Sequence, residues 1–544
     1  MTHSFSKHYR TKETPQDRSI PGKAMVKNSA GGFSFAVSDW ERLARFLVLG
    51  SEGGSYYTNE QTLTIENAEA VRRLIGVDGQ KVVDMIVDVS SKGRAPSNDP
   101  AIFALAMCAG LGDQDTKRAA LRALPLVCRI GTHIFHFAEY VEGFRGWGRS
   151  LKRAVAEWYL EKPIGPLGYQ VIKYQQRGGW SHRDLLRLSH PKPTSDDHKA
   201  LFGYVVNGPQ DGVALPNSRS IRGYEIAKIA KTKGEVVDCI GLYGVTREMI
   251  PTKWLNEPDV WTALLSSMPL MATIRSLGKM AAVGALKPMG GNIASVKERL
   301  SDTDYIRKSR AHPLSILVAQ KIYEQGHGMK GSLSWESNPH IVDALNRAFY
   351  SSFENVEPTN KRTMLALDVS GSMGHSTVAG SPITPREASA AMALVTAKSE
   401  PNYMTTIFSS AGRNYQELRG FGGATGISEI SISPNQRLPD VIRQVSMLPF
   451  GRTDCSLPML YALQRKIEIE VFVIYTDSET WVGNIHPVQA LEVYRREMGI
   501  PAKLVVVGMT SNGFSIADPN DRGMLDVVGF DTATPKLISE FCRE

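Results

Sequence analysis

The spacing of apolar residues changes character once along this chain, and that change divides it into two unlike parts. From about Ile65 to Val356, segments of roughly 10 to 16 residues carry an apolar stripe at helical spacing. Short breaks containing Gly, Pro, Asp or Asn separate them. Examples are Ala68 to Ile75, Lys81 to Val89, Ile102 to Leu111, Thr116 to Cys128, His133 to Val141 and Ser150 to Leu160. Beyond Arg362 the apolar runs become short, at Met364 to Leu367, Met404 to Phe408, Val471 to Tyr475 and Leu504 to Val507. Helical stretches lie between them, at Pro385 to Lys398, Leu438 to Ser446, Leu457 to Lys466 and Pro487 to Arg496.

The first pattern predicts successive antiparallel helices, an α-solenoid of HEAT-like repeats in which each pair buries its stripe on its neighbours. No strict period is present, so an irregular helical bundle fits the pattern too. The second pattern, strands alternating with helices, predicts βαβ units and a doubly wound parallel α/β sheet. The polar stretch Phe353 to Arg362, broken by Pro358, marks the boundary. Ser38 to Gly50 reads as a short helix. The start, MTHSFSKHYRTKETPQDR, is polar and basic, without the apolar core of a secretory signal. The expected division is a flexible tail over 1–32, a helical domain over 33–358 and an α/β domain over 359–544.

At 544 residues the chain is too long for one hydrophobic core. No apolar run reaches the ~18 residues that span a bilayer, and the five cysteines, Cys108, Cys128, Cys239, Cys455 and Cys542, form no C-x-x-C pair. A soluble protein of the reducing cytoplasm, with neither a disulfide framework nor a thiolate zinc site, is expected. The net charge of +8 is unevenly placed. Lys361 to Glu544 holds 17 Lys and Arg against 19 Asp and Glu, leaving 46 against 36 before it. Positive charge confined to one region suits a polyanion such as nucleic acid, although a merely soluble basic surface is equally compatible.

The strand ends of the second region carry the chemistry. MLALDVSGSMG, Met364 to Gly374, runs from a buried strand into Asp-x-Ser-x-Ser; VFVIY ends at Thr476-Asp477-Ser478; GRTDCSLPM places Thr453 just before a helix. In a doubly wound sheet the carboxyl ends of the strands share one edge, where ligands bind. Asp368, Ser370, Ser372, Thr453 and Asp477 would converge there, and oxygen-only donors are what a hard divalent cation such as Mg²⁺ prefers. This is the pattern of a metal-ion-dependent adhesion site, whose open position takes an acidic group from a partner. The bland alternative is a von Willebrand factor A fold with a vestigial site.

In the first region, VIKYQQRGGWSHRDLLRLSHPK, Val171 to Lys192, gathers Lys173, Arg177, Arg183, Arg187 and Lys192 against one acid, Asp184. Tyr174, Trp180, His182 and His190 are interleaved. A helix ending near Gly178-Gly179 would put Lys173 and Arg177 on one face of its last turn. Ser181 would cap a second helix, with Leu185, Leu186 and Leu188 facing in and Arg183 and Arg187 facing out. Cations beside stackable rings suit an RNA backbone; a solvated basic face with Trp180 in the core is the plainer possibility. His133 and His136 are expected as structural histidines. No Gly-x-x-x-x-Gly-Lys-Ser/Thr loop, Gly-x-Ser-x-Gly elbow or H-E-x-x-H occurs, so the chain is not expected to be an enzyme.

Longer strings point further. RFLVLGSEGGSYY, KYQQRGGWSHRDLLRLSH, MPLMATIRSLGKM, RAHPLSILVA, GRTDCSLPM, YTDSETW and MTSNGFSIADPNDRGMLD resemble the Ro ribonucleoprotein, or Ro autoantigen, family in a bacterial form, over about Phe33 to Phe541. The resemblance implies a TROVE domain of HEAT-like helices closed into a ring, followed by a von Willebrand factor A domain. It implies binding of small noncoding Y RNA on the ring's outer surface, through Lys173, Arg177 and His190. Single-stranded ends of misfolded or immature RNAs would enter the central hole. It further implies RNA quality control with exoribonucleases, polynucleotide phosphorylase among them, by a monomer. Arg452 departs from the animal pattern, as do the longer loops Ser376 to Thr384 and Arg413 to Pro434. The competing expectation is a metal-dependent protein-interaction module whose helices are only a scaffold.

Overall fold

The computed structural model describes residues 13–51, 58, 60–288, 290–309, 311–328, 332–353, 358–379, 381–409, 426–446, 451–530 and 534–543. Two compact units are formed, one from the segment up to Ala70 with Arg94–Ser97 and Phe353–Glu544, the other from Val71–Gly93 and Asn98–Ser352. The element Glu60–Lys92 belongs to both, and at Asp78 its backbone leaves the helical region (φ −156°, ψ 81°).

The second unit is helical, and its helices pack mainly on near neighbours in sequence. Asp99–Leu111 lies against Gln114–Val127 and Gly131–Phe144, and Arg149–Leu160 against Gln114–Val127 and His182–Ser189. Further along, Arg219–Ile229 packs on Lys233–Tyr243, and Pro313–Glu324 on Pro339–Ser351. Local pairing of this kind is the packing logic of repeat proteins. The expected stripes are the buried faces: Ile102, Leu105, Phe135, Phe137, Leu151 and Val155 are fully buried. Side-chain caps start several helices, with Asp113 accepting from Thr116 N–H at 2.8 Å and Thr232 from Glu235 N–H at 3.3 Å.

The α/β unit is reached through two short strands, β1 (Met25–Lys27) and β2 (Phe33–Ala36). Among the described residues, the strands of the helical unit are those of the hairpin β3 (Gln176–Arg177) and β4 (Trp180–Ser181). Then come β5 (Thr363–Asp368), β6 (Tyr403–Phe408), β7 (Ile427–Glu429), β8 (Val471–Thr476), β9 (Lys503–Gly508), β10 (Phe514–Ser515) and β11 (Met524–Val528). Six of these form one sheet in the order β11-β9-β8-β5-β6-β7, parallel except for β7. All four strands expected from apolar runs are present. β5 and β8 are buried along their whole length, as a central parallel strand covered on both faces must be. The four helices expected between them are observed at Pro385–Ser399, Leu438–Ser446, Leu457–Arg465 and Pro487–Met498.

The expectation of a flexible tail over 1–32 does not hold for residues 14–32, which are built into the α/β unit, while residues 1–12 lie outside the described residues. β1, β2 and β10 form a separate antiparallel sheet, joining segments almost 500 positions apart on the register Phe514 with Ala36. Ile20 and Phe35 enter the same apolar core as Met364, Phe472 and Leu504. Polar residues of the expected tail make long-range partners: Lys23 pairs with Asp518 at 2.6 Å, and Asn28 Nδ2 donates to the Thr480 carbonyl at 2.8 Å. The following helix, Asp39–Leu49, begins at the capping box Ser38/Glu41. It buries Arg45, which donates to the carbonyls of Asn512 and Phe514 and pairs with Asp526. The boundary expected at Phe33 therefore falls inside a unit rather than between two. Of the loop expected at Arg413 to Pro434, residues 413–425 lie outside the described residues.

Candidate functional site

At the carboxyl end of β5 the backbone turns back on its own carboxylate. Asp368 Oδ1 accepts from the Ser370 N–H at 2.8 Å and Oδ2 from the Thr476 hydroxyl at 2.7 Å. Ser370 Oγ lies 3.1 Å from Ser372 Oγ, and Ser372 in turn bonds Asp477. The Gly371 N–H donates to the Gly451 carbonyl at 3.0 Å, joining this turn to the loop that carries Thr453. Ser409, just past β6, fixes that loop from the other side, its hydroxyl donating to the Arg452 carbonyl at 2.7 Å. Asp368, Ser370, Ser372, Thr453 and Asp477 are all at most 4% exposed. The structure thus brings Asp368, the two serines and Asp477 into one bonded cluster, and seats buried Thr453 on an adjoining, tied loop.

Electrostatics sharpen the picture. Burial pushes Asp477 up to about 8, with the charges of Asp368 and Glu479 adding to the effect. Burial also raises Asp368, while bonds from Ser370 and Thr476 and the charge of Arg386 oppose it. Two carboxylates that repel each other in a dry, hydroxyl-lined site are what a divalent cation would relieve. The donor set fits Mg²⁺ in kind, since every group ends in oxygen. Among the described residues there is no cluster of three or more His, Cys, Asp and Glu suited to a metal, so a cation here would depend on the hydroxyls. Ser478 adds local strain, with φ at 63° and a buried hydroxyl lacking a partner among the described residues.

Several residues that hold this site were not anticipated. Arg386, 5% exposed, donates to the carbonyls of Val369 (2.6 Å) and Ser370 (3.1 Å), clamping the turn. Gln16, fully buried, donates to Asp454 Oδ1 and to the Ile485 carbonyl, both at 2.8 Å, and accepts from the Thr480 hydroxyl. Ser34 Oγ donates to the Ser478 carbonyl at 3.0 Å, and Asn512 Nδ2 to that of Asp477 at 2.7 Å. Gly32 approaches so closely that an added Cβ would overlap Thr480 and Trp481. No local sequence signal marks Gln16 or Ser34, since each acts on residues more than 400 positions away. Arg452, where the chain departs from the animal pattern, lays its guanidinium over the Trp481 ring at 4.9 Å.

The basic segment is built differently. The helix Ile164–Lys173 ends before the glycines, and Arg177 lies in β3 rather than on a helical last turn. Gly178 (φ 55°) and Gly179 (φ 79°) form the two-residue turn to β4, a conformation that suits a Gly-Gly pair. A glycine pair closing a hairpin looks locally like one ending a helix, which accounts for the difference. Ser181 does cap the helix His182–Ser189, through a capping box with Asp184. Leu185 and Leu186 are buried, while Arg177, Arg183, Arg187 and His190 are exposed. His190 ends the helix in the left-handed region, φ 47°. Lys173 is half-buried: its ammonium donates to Tyr169 Oη at 2.9 Å and lies 5.4 Å from the Tyr174 ring centroid. Trp180 is half-buried against Trp147.

His182, His133 and His136 sit in structural environments. His182 is buried among Phe135, Trp158 and Tyr159, whose hydroxyl lies 2.8 Å from its Nδ1, and burial holds it down to about 3. His133 is held down to about 4, chiefly by burial, and His136 contacts Asp99 at 2.6 Å. The five cysteines are free and buried. Among the described residues no helix is long and apolar enough to cross a membrane.

An α/β domain with hydroxyls and carboxylates gathered at its central strand ends, together in one chain with a unit of locally packed helices, defines a helical-repeat protein carrying a von Willebrand factor A-type domain. The TROVE domain family model matches residues 26–211 and 243–322, and that of the Ro60 vWA domain matches 362–542. Two curated relatives are called RNA-binding protein RO60. One, from Deinococcus radiodurans, is 39% identical over 95% of both chains; the other, from Caenorhabditis elegans, is 36% identical over 97% of this chain and 92% of its own. The crystal structure of the Deinococcus radiodurans RO (RSR) protein superposes with a TM-score of 0.70, at 38% identity, covering 93% of this chain and 99% of that one. The chain belongs to the Ro ribonucleoprotein family.

Proposed function

We propose that this protein is a non-catalytic RNA-binding scaffold. The carrying observation is the surface formed by the hairpin and the helix after it. Arg177, Arg183, Arg187 and His190 stand exposed there within one short segment, and Lys173 adjoins them. Exposed cations held on rigid elements fix phosphates with salt-sensitive affinity and little sequence preference. The RNA-binding relatives support the same reading. In it, small Y RNA is held on the outer surface of a ring of helices, and single-stranded ends of misfolded or immature RNAs pass into the central hole. The protein works as a monomer in the cytoplasm with exoribonucleases such as polynucleotide phosphorylase. Asp368, Ser370, Ser372, Thr453 and Asp477 hold Mg²⁺, which leaves a coordination position for an acidic group of a protein partner.

A filter-binding titration against salt tests the RNA assignment. Lys173→Ala with Arg177→Ala is expected to weaken binding of a structured small RNA and flatten its salt dependence. Unchanged affinity and slope reject the assignment. The second reading, a metal-dependent protein-interaction module without an RNA role, is favoured by the buried carboxylate pair alone. It predicts purified protein free of RNA and Mg²⁺-dependent capture of an acidic partner that Asp368→Ala abolishes.

A further inference from the structure

Lys173 has a second environment besides the exposed basic surface. With Val245, Thr246 and Arg247 it lines a depression partly open to solvent. Buried Val245, Leu264 and Met268 and half-buried Ala272 give it apolar walls. The Thr246 hydroxyl is buried with no hydrogen-bond partner among the described residues, and Ser276 Oγ is 3.5 Å from Arg247 Nη1. Glu248 is the one acid among the lining residues, 3.4 Å from Arg247.

These groups ask for a ligand with three properties. The apolar walls favour a flat ring of modest size, the unpaired Thr246 hydroxyl calls for a polar ring edge, and Lys173 beside Arg247 calls for an adjoining anion. An unpaired nucleotide has all three, and single-stranded RNA is commonly read through bases splayed out of their stack. Glu248 only accepts hydrogen bonds, so it favours an edge rich in N–H donors, and guanine offers two adjacent ones. We infer that this depression is a nucleobase pocket, taking one unpaired guanosine of a bound RNA with its phosphate at Lys173. The inference rests on the RNA-binding reading and deepens it, because the surface that holds the backbone would also examine a single base.

The test uses the full-length protein and fluorescent oligouridylates that differ at one position, either guanosine or an abasic site. Wild-type protein is expected to bind the guanosine strand roughly tenfold more tightly than the abasic one, the size of one well-seated base. Ala272→Leu, which fills the depression, is expected to erase that preference while leaving affinity for the abasic strand intact. Thr246→Val, close in volume, is expected to reduce it by roughly threefold through loss of one hydrogen bond, and it serves if Ala272→Leu does not fold. Near-ultraviolet cross-linking of a strand with thioguanosine at that position should label peptides within residues 245–276. Equal affinity for the two strands, or labelling only elsewhere, overturns the pocket while leaving RNA binding standing. Preference for free guanosine monophosphate without preference in the strand also overturns it. Absence of any binding to either strand rejects the RNA reading itself, and the pocket with it.

Discussion

The two candidate sites use polar side chains in opposite ways. At the end of β5 the carboxylates and hydroxyls are turned inward, bonded to one another and almost without exposure. On the hairpin and the helix His182–Ser189, the guanidinium groups of Arg183 and Arg187 stand in solvent. Desolvated charges pay for their burial only through strong, short-range partners, so the first site suits a small dehydrated cation. Solvated charges keep their freedom and act together at longer range, which suits a large polyanion. The contrast implies that mutations around the first site should chiefly alter stability and metal response. Mutations in the second should alter binding and leave the fold untouched.

The strongest challenge to that contrast is Arg45→Met. Its partner Asp526 would be left largely buried and uncompensated, and a loss of about 3–5 kcal/mol is expected in urea unfolding. A loss as small as that of a surface pair would show that the α/β unit is not held together through its buried charges. The next effect comes from pH and concerns the helical core. His182 is neutral when folded, with its value held down to about 3, and takes up a proton near 6.5 once unfolded. The unfolded chain binds more protons as pH falls, so stability should drop below about pH 6.5, by about 1.4 kcal/mol per unit. His182→Phe should flatten this dependence, and unchanged steepness would place its source elsewhere.

Gln16→Ala is expected to cost about 1–3 kcal/mol by removing a donor to Asp454 and the acceptor of the Thr480 hydroxyl, and, on the Mg²⁺ proposal, to shrink the rise in melting temperature that Mg²⁺ should bring. A full metal response in this variant would separate Gln16 from the site. Arg183→Ala with Arg187→Ala should leave stability within about 0.5 kcal/mol of the parent. In the same variant the slope of log affinity for RNA against log salt should fall by about 2. A large stability change would erase the distinction between the two regions.

Much of this was legible in the sequence wherever the cause is local. The strands β5, β6, β8 and β9 announce themselves as apolar runs, and the turn after β5 shows its Asp-x-Ser-x-Ser directly. Ser181, Arg183 and Arg187 fall where helical spacing puts them. The failures concern partners far away. Nothing near Gln16, Lys23 or Asn28 hints at Asp454, Asp518 or Thr480, so a polar stretch reads as solvated although it is built in. Arg386 is similarly silent, one more charge in a helical stretch until the turn it clamps is in view. Arg177 was misplaced because two glycines serve a hairpin as readily as a helix end.

The sheet that joins β2 to β10 also dictates an order of events during synthesis. Residues 14–36 leave the ribosome long before their partners, since Thr480, the partner of Gln16, is made 464 residues later. At roughly 5–20 residues per second, these early residues wait tens of seconds for their partners. The helices between, whose contacts are mostly local, can complete their packing in the meantime. The α/β unit is thus closed after the helices, and residues 14–36, though made before them, are locked in place after them.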